Sequence, residues 1–256
     1  MPQRPFSRRV ALGLPFALCS LRPLEAAAFG DGGAFHPRLL RAGNHPPLGV
    51  RSSGAGRWSW ELVRRTSAPA RLVPSEVSAD QGALQAEPFA IWAGDSDPGP
   101  LSAAEVRGLT RFMRLGGVLV VDDSNPASGA FGRGAKRELS RVLPESAPVR
   151  LDPGHVIFKT FYIVDRPVGR VLGPPDVSAI VRGKNAQVIF LEHDLLGALA
   201  RSGEGFALET EPGGLAQREQ AVRFAVNLSM YVLCSDYKDD QVHAPFLMRR
   251  RARQKP

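Results

Sequence analysis

The chain has 256 residues, of which 43% are hydrophobic and 23% charged, a composition that excludes a disordered, collagen-like or low-complexity protein. The net charge of +8 at pH 7 lies mostly at the two ends, where arginines cluster around residue 8 and after residue 248. The body between these ends is close to neutral and does not indicate nucleic-acid binding.

The first 28 residues are typical of a twin-arginine signal peptide. Arg8 and Arg9 stand in the run Ser-Arg-Arg-Val-Ala-Leu, an apolar stretch continues to Leu21, and three alanines occupy positions 26–28. This order of charged, apolar and small residues is that of a cleaved export signal. The apolar stretch of about twelve residues is well short of the roughly twenty that span a bilayer, which disfavours a permanent membrane helix. We therefore expect a periplasmic or secreted protein whose mature chain, without a transmembrane helix, begins near residue 29.

The two cysteines do not indicate a disulfide in the mature chain. Cys19 lies within the predicted signal, and only Cys234 remains after processing. A lipoprotein signal at Cys19 is disfavoured because Leu18 precedes it where a small residue is expected. Cys234 follows an apolar helical pattern and is predicted to be a buried small side chain.

Residues 29–236 are expected to form a single domain, because no internal repeat or long linker interrupts them. The first predicted elements are a strand over 35–40, a loop over 43–56, a helix over 58–66, a short strand over 71–73 and a strand over 89–93. The last of these, Phe-Ala-Ile-Trp-Ala, is continuously apolar, as is typical of a central parallel strand covered on both faces.

The clearest helix follows this strand. Ser102 and Glu105 have the spacing of a capping box, apolar residues recur at helical intervals, and two glycines at 116 and 117 mark the C-terminus. A second buried strand, residues 118–123, comes directly after it. The later predicted elements are a helix over 135–143, a strand over 187–191 and a long helix over 217–233.

Alternating strands and helices predict an α/β fold, a three-layer sandwich around a mostly parallel sheet. In such folds, functional groups collect beyond the carboxyl ends of the strands. Asp95 and Asp97 follow one predicted strand, Asp122 and Asp123 end the next, and His193 and Asp194 follow a third. These positions are the candidate site.

Five segments carry a resemblance to a known family. They are Gly94-Asp95, residues 116–123, Arg137-Glu138-Leu139 with Leu143-Pro144, residues 155–158 and residues 225–231. In this order they resemble the bacterial domain of unknown function 4159, over roughly residues 35–233. The resemblance implies a flavodoxin-like sheet similar to that of class I glutamine amidotransferases, with no established activity, and by analogy an envelope protein partner. It also marks His155 as a family position.

The chain departs from the patterns that this resemblance implies. Family members commonly carry Gly-His-Gly where this chain has Gly94-Asp95-Ser96-Asp97. Working amidotransferases of this fold place a catalytic cysteine on a Gly-x-Cys-x-Gly turn, because a thiolate nucleophile needs an exposed position beside a base. Here the turn reads Val-Asp-Asp-Ser-Asn over 121–125, and Ser124 lacks the flanking glycines of a serine nucleophile.

Two interpretations of the strand-end acids remain open. Asp122, Asp123, His193 and Asp194 are the catalytic candidates for a hydrolase, acting as a general acid/base cluster or holding a divalent metal. Aspartates in these positions also commonly cap helices and turns, and no metal-binding spacing is present, so we favour capping. No other cofactor is indicated. The ligand-binding candidates are Asp95, Asp97, Ser124, Asn125 and His155.

Two further segments favour ordinary structural interpretations. The glycine-rich residues 129–134 lack the Gly-Lys-Ser/Thr of a phosphate loop, so a flexible connection is favoured over an anion site. Residues 237–256 are predicted to be a basic, solvated tail, with contact to an anionic surface as the alternative. The sequence as a whole predicts an exported, non-catalytic binding or accessory domain of the cell envelope, and a periplasmic hydrolase is the alternative.

Overall fold

The structure is a computed structural model that describes residues 33–44, 46–183 and 185–252, with residues 235–252 described as backbone only. The helices are α1 (Ser53–Thr66), α2 (Ala103–Arg114), α3 (Ala130–Val142), α4 (Leu195–Leu199) and α5 (Gly214–Ala252). The strands are β1 (Arg38–Arg41), β2 (Ser75–Ser78), β3 (Phe89–Gly94), β4 (Val118–Asp123), β5 (Val149–Arg150), β6 (Ser178–Arg182), β7 (Asn185–Leu191), β8 (Arg201–Ser202) and β9 (Gly205–Phe206). Short 3₁₀ helices span Gly49–Ser52, Gly82–Ala86 and Val156–Phe158. The predicted signal peptide, residues 1–28, lies outside the described residues.

Seven strands form one sheet in the order β2-β1-β3-β4-β7-β6-β5. The first five run parallel, and β6 is antiparallel to both of its neighbours. Numbered among themselves, the five parallel strands have the order 2-1-3-4-5, which is the flavodoxin-like order. Strands β8 and β9 form a separate small hairpin.

Each face of the sheet packs against its own layer of helices. On one face, Trp58 and Leu62 of α1, α4 and Phe224 of α5 pack against the sheet in a single hydrophobic cluster. On the other face, Phe112 of α2 and Leu139 of α3 belong to a second cluster. The sheet is therefore the middle of a three-layer α/β sandwich, and the predicted fold class is confirmed.

The elements with strong local signals lie where the sequence predicts them. All six residues of β3 and all six of β4 are buried, as central strands covered on both faces must be. The capping box of α2 is formed: the Ser102 hydroxyl accepts from the Glu105 amide at 3.2 Å, and the Glu105 carboxylate accepts from the Ser102 amide at 2.7 Å. The predicted stripe of the last helix is also buried. Its members are Ala221, Phe224, Ala225, Leu228, Tyr231 and Val232.

Three predictions of strand and loop boundaries are wrong. Residues 71–73 are exposed and form no strand. The strand in this part of the chain is β2, which begins at Ser75. It has a single buried side chain, Val77, because it lies at the edge of the sheet. The predicted loop over 43–56 ends early, because α1 begins at Ser53. The first predicted strand is displaced, since β1 covers Arg38–Arg41 and Phe35 forms only an isolated bridge with Ala70.

The glycine-rich segment 129–134 is not a flexible connection. It forms the first turns of α3, where Gly132 and Gly134 are buried. An ideal Cβ at Gly134 would lie 2.6 Å from an Asp97 oxygen, so a glycine is needed for this close packing. Cys234 is exposed, so its predicted burial is also wrong, because the buried stripe of α5 does not include its position.

The backbone of α5 continues to Ala252, past residue 237 where the basic tail is predicted to begin. Within the part of the chain that the structure describes, no helix combines the length and the apolar character needed to cross a membrane.

Candidate functional site

The carboxyl ends of β3, β4 and β7 lie level with one another. Gly94 is paired with Asp123, Ala93 with Asp122, and Asp122 with Leu191 across the three strands. The loops after these strands therefore meet at one edge of the sheet. The loop after β1 also reaches this edge, and since β2 and β3 lie on opposite sides of β1, the chain reverses its direction of winding there. Parallel sheets of this kind bind ligands at such a switch point.

A cleft of about 230 Å³ opens at the switch point. It is lined by the loop after β1 (Pro46, Pro47, Leu48, Gly49, Val50 and Arg51), by Gly94 and Asp95 at the end of β3, and by Ser124 after β4. This volume is below the roughly 300–1,000 Å³ of typical ligand pockets, so it suits a very small molecule or one functional group of a larger ligand.

Asp122 is fully buried beneath this edge and caps the short helix α4. Its two carboxylate oxygens accept hydrogen bonds from the amides of Leu195 and Leu196, at 2.8 and 2.7 Å. Burial and the neighbouring charge of Asp194 raise the pKa of Asp122 to about 7. Asp122 thus acts as a helix cap, because its oxygens accept hydrogen bonds from the first backbone amides of α4.

Asp194 is the centre of a buried ion-pair network. Its carboxylate, with 0% of the side chain exposed, accepts from Nε and Nη2 of Arg51, both at 2.9 Å, and from Nε of Arg170. It also accepts from the amide of Gly197 at 3.0 Å, so it caps α4 as well. Asp194 has a φ of +52°, a left-handed conformation that aspartate tolerates better than most residues. The network joins the 3₁₀ helix before α1, the loop before β6 and α4.

Asp123 closes the turn after β4. Its oxygens accept from the amides of Asn125 at 2.9 Å and Gly132 at 3.0 Å, which fixes the start of α3 against the strand end. Burial raises the pKa of Asp123. The structure thus brings Asp122, Asp123 and Asp194 together, and all of their carboxylate oxygens already accept N–H groups.

His193 does not join these aspartates. Its Nε2 lies 2.9 Å from the carbonyl oxygen of Pro174, and the charged groups that act on it are Glu192, Arg166 and Asp176. Burial lowers the pKa of His193 and favours the neutral ring. The side chain is held under the loop before β6, so His193 lies apart from the other three candidates, Asp122, Asp123 and Asp194.

The other candidate residues are spread over different environments. Asp95 is exposed at the rim of the cleft. Asp97 forms a two-pronged ion pair with Arg137, at 2.8 and 2.9 Å, which lowers the pKa of Asp97 to about 2. Asn125 is exposed in the turn after β4.

His155 lies in a separate part of the molecule. Its Nδ1 accepts from the amide of Ile157 at 3.3 Å and caps the 3₁₀ helix Val156–Phe158, beside the ring of Tyr231. Burial lowers the pKa of His155. His155 therefore forms a local hydrogen bond within its loop and does not lie among the strand-end acids.

Ser124 differs from all of these residues. It is 4% exposed, it lines the cleft, and its hydroxyl has no hydrogen-bond partner among the described residues. Buried hydroxyl groups without a partner are uncommon in folded proteins and call for an explanation. Among the residues that the structure describes, no group of three or more histidines, cysteines and carboxylates could hold a metal ion.

Comparison with known protein families agrees with this architecture. Residues 51–233, more than half of the chain, match the family described as Domain of unknown function (DUF4159). The chain belongs to this family. The DUF4159 match begins at Arg51 and runs through Ser124, Arg170 and Asp194, so the ion-pair network lies inside it, while residues 46–50 of the cleft lining precede it. Comparison with curated proteins gives no match.

Sequence reasoning missed Arg51 and Arg170, the two cations of the ion-pair network around Asp194. Both stand in segments without helix or strand periodicity, and each meets Asp194 only through the tertiary fold. A signal for the cleft was present in Pro46-Pro47-Leu48-Gly49, a turn-forming run directly after a strand. Its importance depends on the strand order, since only the loops at the switch point border the cleft.

Proposed function

We propose that this chain is a non-catalytic binding or accessory domain that takes a small ligand, or one group of a partner, in the cleft at the ends of β1, β3 and β4. In this proposal the strand-end aspartates maintain the shape of the site, and the cleft beside them is the binding surface. The envelope and the periplasm are the proposed location.

One observation carries this proposal. Every carboxylate oxygen of Asp122, Asp123 and Asp194 accepts an N–H from the backbone or from an arginine. The hydroxyl of Ser124, in contrast, has no described partner although it is buried at the cleft. A group that the fold leaves unsatisfied at a switch-point cleft supports ligand binding there.

The hydrolase alternative has less support. A divalent cation at the three aspartates would compete with the N–H donors that already occupy their oxygens, and His193 is directed at Pro174 instead. A serine nucleophile needs a base within hydrogen-bond distance. The Ser124 hydroxyl has no such base among the described residues.

A ligand screen with a blocked cleft tests the proposal. Val50 lines the cleft and is 38% exposed, so Val50→Trp fills the cleft without disturbing the core. Val63, 39% exposed on α1 and outside the cleft lining, gives the matched control Val63→Trp. In a thermal-shift screen of small polar metabolites, hits on the full-length chain should disappear in Val50→Trp and persist in Val63→Trp. Hits that persist equally in both variants would contradict the proposal.

Export by the twin-arginine route is the second part of the proposal. It is supported by Arg8, Arg9 and the apolar and small residues behind them. The test is to express the full-length chain, fractionate the cells and determine the intact mass of the product. We expect a periplasmic form that begins near residue 29, and cytoplasmic retention when both arginines are replaced by lysine. An unprocessed cytoplasmic product of the unaltered chain would contradict this part.

A further inference from the structure

Resting on the proposed ligand cleft, we propose that the loop after β1 binds an oxyanion of the ligand, a carboxylate or a phosphate group. The binding groups are the backbone amides of Leu48, Gly49 and Val50, the outer nitrogen of Arg51, and the hydroxyl of Ser124. No motif in the sequence predicts this role for the loop.

The backbone of the loop has the conformation of an anion-binding nest. Leu48 is right-handed, with φ −70° and ψ −8°, and the next residue, Gly49, has a φ of +55°. Such an alternation turns successive N–H groups toward one side, where they form a concave site for an anion. No heavy atom lies within 4 Å of an ideal Cβ at Gly49, so the glycine is needed for its conformation and not for close packing.

Among the residues that the structure describes, no side chain caps the amides at this point. The 3₁₀ helix Gly49–Ser52 has no side-chain cap at Leu48 and no acidic residue in its first turn. It leads directly into the 14-residue helix α1, because Ser52 and Ser53 both have right-handed helical dihedral angles. Amides at the start of a helix carry a partial positive charge that favours an anion.

Arg51 adds a positioned cation at the cleft. Its Nε and Nη2 bind Asp194, and no hydrogen bond from its Nη1 to a described residue is present. The two-pronged contact with a fully buried carboxylate holds the guanidinium plane in one orientation. Nη1 can therefore donate a hydrogen bond to a ligand, and the guanidinium does not have to be reoriented when the ligand binds.

Ser124 supplies an independent reason to expect a ligand. It is 4% exposed, lines the same cleft from the end of β4, and its hydroxyl lacks a partner among the described residues. An oxyanion would satisfy the hydroxyl, the amides and Nη1 together.

Asp95 opposes the anion and adjusts its affinity. This carboxylate is exposed at the rim of the cleft, and it acts electrostatically on Arg51. Its negative charge repels an oxyanion, so its removal should tighten binding. This effect has the opposite sign from the loss expected at Ser124, which makes the pair of variants informative.

The test is a ¹H–¹⁵N NMR titration of the full-length chain with sodium phosphate and, separately, sodium acetate, each at constant ionic strength set by sodium chloride. We expect saturable shifts of the Gly49 and Val50 amides. Ser124→Ala should weaken binding roughly ten-fold, the usual effect of losing one hydrogen bond to a charged group, and Asp95→Asn should strengthen it. Ser59→Ala is the matched control, because Ser59 also has a buried hydroxyl without a described partner but lies on α1, outside the cleft lining.

Each outcome decides between the sources of the oxyanion or overturns the proposal. Saturation by phosphate alone supports a phosphoryl ligand, and saturation by both salts supports carboxylates as well. Shifts that do not saturate, or that Ser124→Ala leaves unchanged, overturn the oxyanion site. If neutral metabolites still bind in a manner that Val50→Trp abolishes, the proposed cleft stands and only its ligand class is wrong.

Discussion

Asp194 and Asp97 each form a two-pronged ion pair with an arginine, but in very different surroundings. The Asp194 side chain is completely buried, whereas that of Asp97 is 48% exposed. Water and salt screen the exposed pair and compete for its hydrogen bonds. We therefore assign a structural role to Asp194 and only a minor one to Asp97.

This difference gives the first prediction. Asp194→Asn leaves Arg51 and Arg170 without their carboxylate in a mostly buried site, and such a loss costs about 3–5 kcal/mol. Urea denaturation should show the corresponding fall in the free energy of unfolding. Asp97→Asn is the control and should change the urea midpoint only slightly. Equal effects of the two substitutions would contradict the assigned roles.

Asp122 gives the second prediction, because its pKa of about 7 in the folded protein lies above the ordinary value of 3.8. Between these values the folded state retains a proton that the unfolded chain releases. The stabilising contribution of this group is thus complete below about pH 4 and is lost as the pH rises through 7. The free energy of unfolding should fall by about 2 kcal/mol between pH 5 and pH 7 from this group.

The measurement is urea denaturation at several pH values from 5 to 8, for the unaltered chain and for Asp122→Asn. Asparagine does not titrate, so the variant should show a shallower decline across this range. The variant should also be less stable than the unaltered chain at every pH in this range. The asparagine side chain has one acceptor oxygen, so it can accept a hydrogen bond from only one of the two α4 backbone N–H groups that Asp122 binds. Parallel pH profiles would mean that Asp122 titrates in its ordinary range.

At the scale of elements, the contact between α1 and α4 holds one wall of the cleft in place. Gly54, in the first turn of α1, lies so close to α4 that an ideal Cβ would come 2.4 Å from the Leu196 carbonyl oxygen. The same short helix is capped by Asp122 and Asp194. The position of the loop after β1 therefore depends on a backbone-to-backbone contact.

The third prediction concerns this contact. Gly54→Ala should destabilise the protein by about 1–3 kcal/mol, although alanine is the better helix former, because neither backbone can easily move away. Gly82→Ala is the control: nothing lies within 4 Å of its ideal Cβ and its φ is not positive, so it should be neutral or slightly stabilising. Thermal denaturation compares the two variants. A stable Gly54→Ala protein would mean that α1 is free to move away from α4.

Local signals explain which elements the sequence predicted. The apolar runs of β3 and β4 and the capping box of α2 are encoded within a few residues, so their bounds were accurate. Edge strand β2 buries only Val77, so it has no such run. The start of α3 was missed because its glycines suit close packing against Asp123 and Asp97, which no local pattern reveals.

At the scale of the whole molecule, the candidate site is only partly visible in the sequence. The strand-end positions of Asp122, Asp123 and Asp194 followed from the alternating pattern, and the structure brings them together. The caps formed by Asp122 and Asp194 depend on α4, which the sequence did not predict. The cleft depends on the strand order, because β1 and β3 are neighbours in the sheet although β2 separates them in the chain.

Two sets of residues have different roles in this architecture, one structural and one in ligand binding. The buried aspartates and their arginines connect the loop after β1, the loop before β6 and α4 into one framework. The cleft lies beside that framework and is lined by Ser124, whose buried hydroxyl has no partner in the described part of the chain. Substitutions in the framework should therefore affect stability, and substitutions in the cleft should affect binding.

The most direct test of this division is the melting temperature of the full-length chain, Asp122→Asn and Ser124→Ala, each with and without the metabolites found in the thermal-shift screen. Asp122→Asn should melt at a lower temperature but keep the ligand-induced increase. Ser124→Ala should melt at the same or a higher temperature, because it removes an unsatisfied buried hydroxyl, and should lose most of that increase. The reverse pattern, with binding lost at Asp122 and stability lost at Ser124, would contradict the account.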